Sequence, residues 1–271
     1  MVKVLVFCLL CLCACFATDA WAGAVLDRVM ARHVLVGAVS DGFPPVAFLD
    51  PVTGELAGFD VDVTRAIATR LKVGVKLVTP SWDMTVAGHW ADRFDIAVGS
   101  MTPSRDRMRV LDFPAVYYRW PVAFAVHKDA ANITRIEDLA GRKIGLCSAC
   151  SAEAWFDGTL SLMEPVAAPP RIKMIKVVYE GEGTAFDDLR LGAGKRLDAV
   201  LSNRPTIEAA IAKGYPFRLL SPDAFYEPLA IAIDKGDVEF SRTLAQAVAD
   251  LRQDGTLTRL SLRWFGADLT R

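Results

Sequence analysis

Two short stretches hold side chains that could do chemistry. In "GLCSACSAE" (residues 145–153) Cys147 and Cys150 have the C-x-x-C spacing, which serves thiol redox exchange, metal ligation or a structural disulfide. In "GSMTPSRDRMR" (residues 99–109) Ser100 and Thr102 precede Arg105, Arg107 and Arg109. A guanidinium presents paired donors on a planar fork that fits a carboxylate. Taken alone, however, three neighbouring arginines read as a solvated surface, and the two hydroxyls as ordinary loop caps. His33, His89 and His127 are scattered without ligand-like spacing, so no metal and no cofactor is expected. A redox role for Cys147 and Cys150 would need the thioredoxin-like flanking pattern, which is missing.

The compartment narrows these options. In "MVKVLVFCLLCLCACFATDAWAGA" a single Lys3 precedes an apolar run from Val4 to Phe16, too short to span a bilayer, and Ala20-Trp21-Ala22 forms an A-x-A cleavage site. This pattern is a secretory signal peptide over residues 1–22, so a periplasmic protein beginning at Gly23 is expected. Lipid attachment at Cys15 ranks second, because Cys13 is unusual in a lipobox. Of 6 Cys, the leader takes Cys8, Cys11, Cys13 and Cys15. Cys147 and Cys150 are then left in an oxidising compartment, where a disulfide between them is an option. The chain of 271 residues has a formal net charge of -1 and is 52% hydrophobic. That is room for one large or two smaller domains, with no basic surface calling for nucleic acid.

The elements that must position these residues follow from periodicity. "HVLVGAV" reads as a buried strand, "PVTGE" as a hairpin-like turn, and "GFDVDVTRAIATRL" as a helix with Val63, Ile67 and Leu71 on one face and Asp60 at its cap. "VGVKLVTP", "DRFDIAVGSMT", "YYRWPVAFAVHK", "RKIGLC", "KMIKVVYE", "LDAVLS" and "PLAIAIDKG" read as strands. They are interleaved with helical "SAEAWF", "TAFDDLRLGAGK" and "VEFSRTLAQAVADLRQDG". Such alternation predicts α/β layers with mostly parallel sheets. Ligands in such folds bind beyond the carboxyl ends of strands, which is where both chemical stretches fall. Phe43 lies in a Pro-rich turn and Trp82 just after Pro80, both read as loop positions.

The segments "FPPVAFLDPVTGELAGFDVDVTRAIATRL", "DIAVGSMTPSRDRMRVLDF", "GRKIGLCSACSAE", "AIAIDKGD" and "LRQDGTLTRLSLRWFG" occur in this order over essentially the whole mature chain. Together they resemble the extracellular solute-binding proteins of family 3, which serve polar amino-acid ABC transporters. The resemblance implies a two-lobed, type II periplasmic binding protein-like α/β fold with two crossing strands as hinge. The crossings fall near Tyr117–Val126 and Leu219–Ala230, with lobe 1 formed by residues 23–118 plus 227–271 and lobe 2 by 119–226. It makes Arg107 the carboxylate anchor, and Ser100 and Thr102 contacts for the ligand's amino and carboxylate groups. Phe43 and Trp82 become the rings flanking its side chain, and Cys150 and Ser151 the positions of a paired-hydroxyl loop. Asn203 departs from the family, which usually carries an Asp there for the ligand's ammonium. An amide brings no matching charge, and Asp41 is a possible substitute.

A periplasmic solute-binding protein is therefore expected, monomeric, taking a small carboxylate-bearing solute such as an amino acid or analogue. Its other partner would be an ABC permease in the inner membrane. The alternatives are a cyclohexadienyl dehydratase-like enzyme on the same scaffold, with Glu153 or Glu180 as acid, and a ligand-sensing partner protein.

Overall fold

A computed structural model describes residues 23–271 except 149, 163 and 181. The expected signal peptide, its cleavage site and Cys15 lie outside the described residues. The strands are β1 Val34–Ala38, β2 Gly42–Phe43, β3 Ala47–Leu49, β4 Leu56–Ala57, β5 Gly74–Val78, β6 Ile96–Met101, β7 Leu111–His127, β8 Lys143–Cys147, β9 Ile175–Tyr179, β10 Ala199–Asn203, β11 Phe217–Leu219 and β12 Phe225–Asp234. The helices are α1 Ala24–Arg32, α2 Phe59–Arg70, α3 Trp82–Ala87, α4 Ser151–Phe156, α5 Glu182–Leu189, α6 Arg204–Ala212, α7 Val238–Gln253 and α8 Thr256–Phe265.

Nine strands share one sheet in the order β5-β1-β6-β12-β7-β10-β8-β9, with β11 also on β7, while β2, β3 and β4 form a small sheet of their own. The flanks are parallel, as the strand–helix alternation predicts: β5, β1 and β6 on one side, β10, β8 and β9 on the other. The centre is not. β6–β12, β12–β7 and β7–β10 are all antiparallel. The expectation of mostly parallel sheets is corrected there, because one crossing strand carries the chain out of the first flank and the other carries it back.

The packing divides along these crossings. Tyr117, Tyr118 and Trp120 on β7 and Leu229, Ile231 and Ile233 on β12 belong to a core with Phe59, Ile67, Ile96, Phe240, Leu244 and Val248. Beyond Trp120, successive β7 residues enter two other cores. Val122, Phe124 and Val126 pack with Trp155, Leu146 and Phe225. Ala123 and Ala125 pack on the opposite face with Leu189, Val200, Ile207 and Phe217. That is the period of two that a strand covered on both faces must show. The chain thus forms two α/β lobes, each with its own buried apolar groups, joined by β7 and β12.

Several helices lie outside the periodicity reading: α1, α3, α6 and α8. The first is docked by Asp237, whose carboxylate accepts from the backbone N–H of Gly23 (3.2 Å) and Val25 (2.8 Å), and from Phe240 (2.8 Å) at the start of α7. Within α2 the expected face holds, with Val63 and Ile67 fully buried, although Leu71 falls just past its last turn. Its cap is Gly58, not Asp60. Gly58 has φ of 127°, and a Cβ there would lie 2.3 Å from the Val46 carbonyl oxygen. Glycine alone satisfies both demands. Gly58→Ala is therefore expected to cost about 2–4 kcal/mol, from left-handed strain plus overpacking, measured by urea unfolding. An unchanged midpoint would refute this account of the α2 start.

Candidate functional site

Between the lobes lies a cavity of about 750 Å³ lined from both sides, within the size range of small-molecule sites. Each of Phe43, Trp82, Ser100, Thr102, Arg107, Cys150, Ser151 and Asn203 borders it. They come from widely separated elements. Phe43 is on β2, Ser100 at the end of β6, and Thr102 and Arg107 in the loop that follows. Cys150 and Ser151 open α4, and Asn203 ends β10. At the cavity mouth the two sides touch: the Arg105 N–H donates to the Ser161 carbonyl at 3.1 Å, and Ser104 bridges Leu162.

Arg107 is half-buried, and its Nη1 donates to the Thr102 carbonyl at 2.9 Å. Its guanidinium lies over the Trp82 ring, 5.2 Å from the centroid. Trp82 therefore supports the arginine through a cation–π contact. Trp82 is also not a loop residue. The Ser81 hydroxyl accepts from the Met84 N–H and caps α3, which begins at Trp82. Phe43 stacks on Trp120, with centroids 5.7 Å apart. Burial lowers the Arg107 pKa from its ordinary value, opposed by the charge of Glu227.

Ser100 has φ of 53°, a left-handed conformation uncommon for a residue with a Cβ. Its surroundings hold it there. The Ser100 N–H donates to the Tyr117 hydroxyl at 3.0 Å, and Ser100 Oγ donates to Asp60 Oδ2 at 2.9 Å and lies 2.5 Å from the Tyr118 hydroxyl. Tyr117 in turn donates to Asp60 Oδ1 at 2.6 Å. Asp60 is thus a buried brace beneath the cavity. Burial pushes its carboxyl up from 3.8 to about 7, although the Tyr117 and Ser100 hydrogen bonds oppose the rise.

Cys147 ends β8 and Cys150 precedes α4. The structure joins them in a disulfide, with Cα atoms 5.8 Å apart. The bond closes the loop leading into α4, so the cavity wall at Cys150 presents a disulfide sulfur, not a thiol. Asn203 stands at the cap position of α6 without making a side-chain cap hydrogen bond.

Among the lining residues that sequence reasoning missed are Glu227 and Trp120. Glu227 is 4% exposed and is the carboxyl placed deepest in the cavity wall. The Thr102 hydroxyl donates to its Oε1. Burial raises its pKa, against the opposing influence of Ser151, Thr102 and Arg107. Its one sequence signal is a lone acid within the apolar run "FYEPLAIAI". The other acids considered from sequence do not border the cavity. Asp41 and Glu180 face solvent, and Glu153 pairs with Lys176 at 3.2 Å on the outer side of α4.

The family model for bacterial extracellular solute-binding proteins, family 3, matches residues 35–267. The chain belongs to this family. Among its relatives, a probable amino-acid ABC transporter-binding protein of Haemophilus influenzae is 30% identical over 94% of each chain. The L-cystine-binding protein TcyJ of Escherichia coli is 27% identical, over 91% of this chain and 88% of its own. Among solved structures, an ancestral amino acid-binding protein described as a precursor of cyclohexadienyl dehydratase superimposes with a TM-score of 0.67. It is 28% identical, over 89% of this chain and 98% of that one. The cavity of this solute-binding protein accordingly lies in the cleft between the two lobes of a type II fold.

The Asp60 brace has a pH signature. A buried carboxyl with a raised pKa holds its proton in the folded state while the unfolded chain has released it. Its contribution is complete below about pH 4 and declines as pH rises to about 7. Relative to Asp60→Asn, the native protein is expected to lose stability across that window and then level off, as read by urea unfolding at a series of pH values. Parallel profiles for the two proteins would overturn the assignment.

Proposed function

We propose that this protein is a monomer that captures a small carboxylate-bearing solute, an amino acid or close analogue, in the interlobe cavity. It would deliver that solute to an ABC permease in the inner membrane. The observation that carries the reading is the half-buried guanidinium of Arg107. It is held by the Thr102 carbonyl and the Trp82 ring and opens onto a cavity lined from both lobes. A fixed, partly desolvated fork is a better anion anchor than a solvated one. Arg107 is offered by one lobe, and Ser151 and Asn203 by the other. A solute touching both sides favours the closed arrangement by its differential contacts. Ser100 and Thr102 supply polar contacts from the first lobe, Phe43 and Trp82 supply rings, and Cys150 shapes the second-lobe wall as half of a disulfide formed in the oxidising periplasm. In this reading residues 1–22 direct export, and the lobes comprise 23–118 plus 227–271 and 119–226. The names of the relatives, which specify L-cystine and amino acids generally, agree with a ligand of this class.

A specific observation favours a second reading, an enzyme that eliminates water. A dehydratase needs a titratable acid in the cleft, and Glu227 is a buried carboxyl of raised pKa bordering it. Turnover of prephenate or arogenate by the purified protein would establish that reading in place of the first.

In a thermal-shift screen of amino acids, keto acids and dicarboxylates, the matching solute should raise the melting temperature, equivalent to about 2.7 kcal/mol at a hundredfold excess over Kd. Arg107→Ala should weaken that solute by about tenfold or more, the value of a charge-assisted hydrogen bond. Full affinity in the variant would remove Arg107 from the site.

A further inference from the structure

Glu227 is the feature of the cavity that the family resemblance does not account for. It lies on β12 directly opposite Trp120 of β7 in the antiparallel ladder, and both border the cavity. Its carboxyl is buried, which raises its pKa, while hydrogen bonds from the Ser151 hydroxyl of the second lobe and the Thr102 hydroxyl of the first, and the charge of Arg107, oppose that rise and favour the carboxylate. Arg107 does not discharge it. The guanidinium is committed to the Thr102 carbonyl and the Trp82 ring, and no ion pair joins the two among the described residues. An ionised carboxylate has about four acceptor positions, and the Thr102 and Ser151 hydroxyls take two of them. What remains is a buried acceptor without a full counter-charge, an arrangement that is costly unless something cationic meets it.

Two neighbours point the same way. The Trp120 ring borders the cavity beside Glu227, and an indole attracts a nearby cation. Asn203, which borders the same cavity from the second lobe, is neutral and cannot balance an ammonium. Beside the exposed Arg105, Asp106 and Arg109, the cavity wall carries the anchored guanidinium of Arg107 and the buried carboxyl of Glu227, a pair that complements a zwitterion.

We infer that Glu227 receives the ammonium group of a zwitterionic amino-acid ligand, with the Trp120 ring beside it, so that the cavity selects for an amine as well as a carboxylate. This rests on the reading of the cavity as a solute site anchored by Arg107. It adds an acid on the hinge strand as the charge that distinguishes amino acids from simple carboxylates.

The test uses the mature protein and the twenty standard L-amino acids plus L-cystine, with affinities by titration calorimetry. The strongest binder is then compared with its desamino analogue, which keeps the carboxylate, in wild type, Glu227→Gln and Glu227→Asp. In wild type, removing the amine should cost about tenfold to a hundredfold in affinity, the range for a hydrogen bond to a charged group. In Glu227→Gln that penalty should shrink to within about threefold, with the desamino analogue bound as in wild type. Glu227→Asp keeps the charge, withdraws it by one methylene, and should retain an intermediate amine preference. If amino acids bind and Glu227→Gln discriminates between amine and desamino forms as wild type does, this inference falls and the solute-site reading stands. It falls equally if Glu227→Asp prefers the amine no more than Glu227→Gln. If none of the amino acids binds, this inference fails, and the solute-site reading fails with it only if the keto acids and dicarboxylates of the thermal-shift screen also leave the melting temperature unchanged.

Discussion

Where the chain crosses between lobes, β7 and β12 run antiparallel from Phe225 opposite Val122 to Asp234 opposite Leu111. That ladder runs through both lobes, so its register decides what can face the cleft. The register shifts between Leu229 and Ala230 and again between Ile231 and Ile233, which lets a single strand serve two differently packed halves. Tyr117, Tyr118 and Trp120 leave the ladder toward the first core. Trp120 and Glu227, paired across it, reach the cavity. The parallel flanks hang from this centre, and their strand ends carry Ser100 on one side and Asn203 and the Cys147–Cys150 loop on the other.

Around this frame the structure spends stability on polar groups that an apolar core would avoid. Asp60 is buried among Tyr117, Tyr118 and Ser100, and its partners are all at the base of the cavity. A fully satisfied network of this kind rigidifies what it supports. Here it holds a serine in a left-handed conformation at the strand end, where an unbraced loop would relax. Glu227 differs in kind. Asp60 is enclosed by donors, whereas Glu227 faces the cavity with acceptor capacity left over. The first acid fixes geometry; the second turns its carboxyl to the cavity.

The two aromatic contacts at the cavity show the same division. Trp82 braces Arg107, and Phe43 leans on Trp120. Each ring thus immobilises a polar or amphipathic neighbour before any ligand arrives. Preformed orientation of this sort reduces the ordering cost of binding.

Much of this was legible in the chain itself. Strands such as Val34–Ala38 and Ile96–Met101 and the helix Phe59–Arg70 follow from apolar periodicity and turn residues, which act over a few positions. Ordered motifs along the mature chain point to a two-lobed solute-binding fold, and each of the eight residues proposed for the site from them borders one cavity. The short helices α3 and α6 were not legible, since a few turns docked by tertiary contacts leave little periodic signal. Nor was the antiparallel centre, because strand direction depends on where the chain goes next. Glu227 and Trp120 look like ordinary positions within strands. Asp60 looks like a cap. Only the pairing of β7 with β12 sets Glu227 beside Trp120 at the cavity, and only the docking of α2 on the sheet buries Asp60 beneath Ser100. Local periodicity and ordered motifs were enough for the main strands, for helices such as α2 and α7, for the family and for the residues at strand ends. The tertiary structure decided which acids are buried, and hence where charge stands in the cleft, because burial depends on residues far apart in the chain.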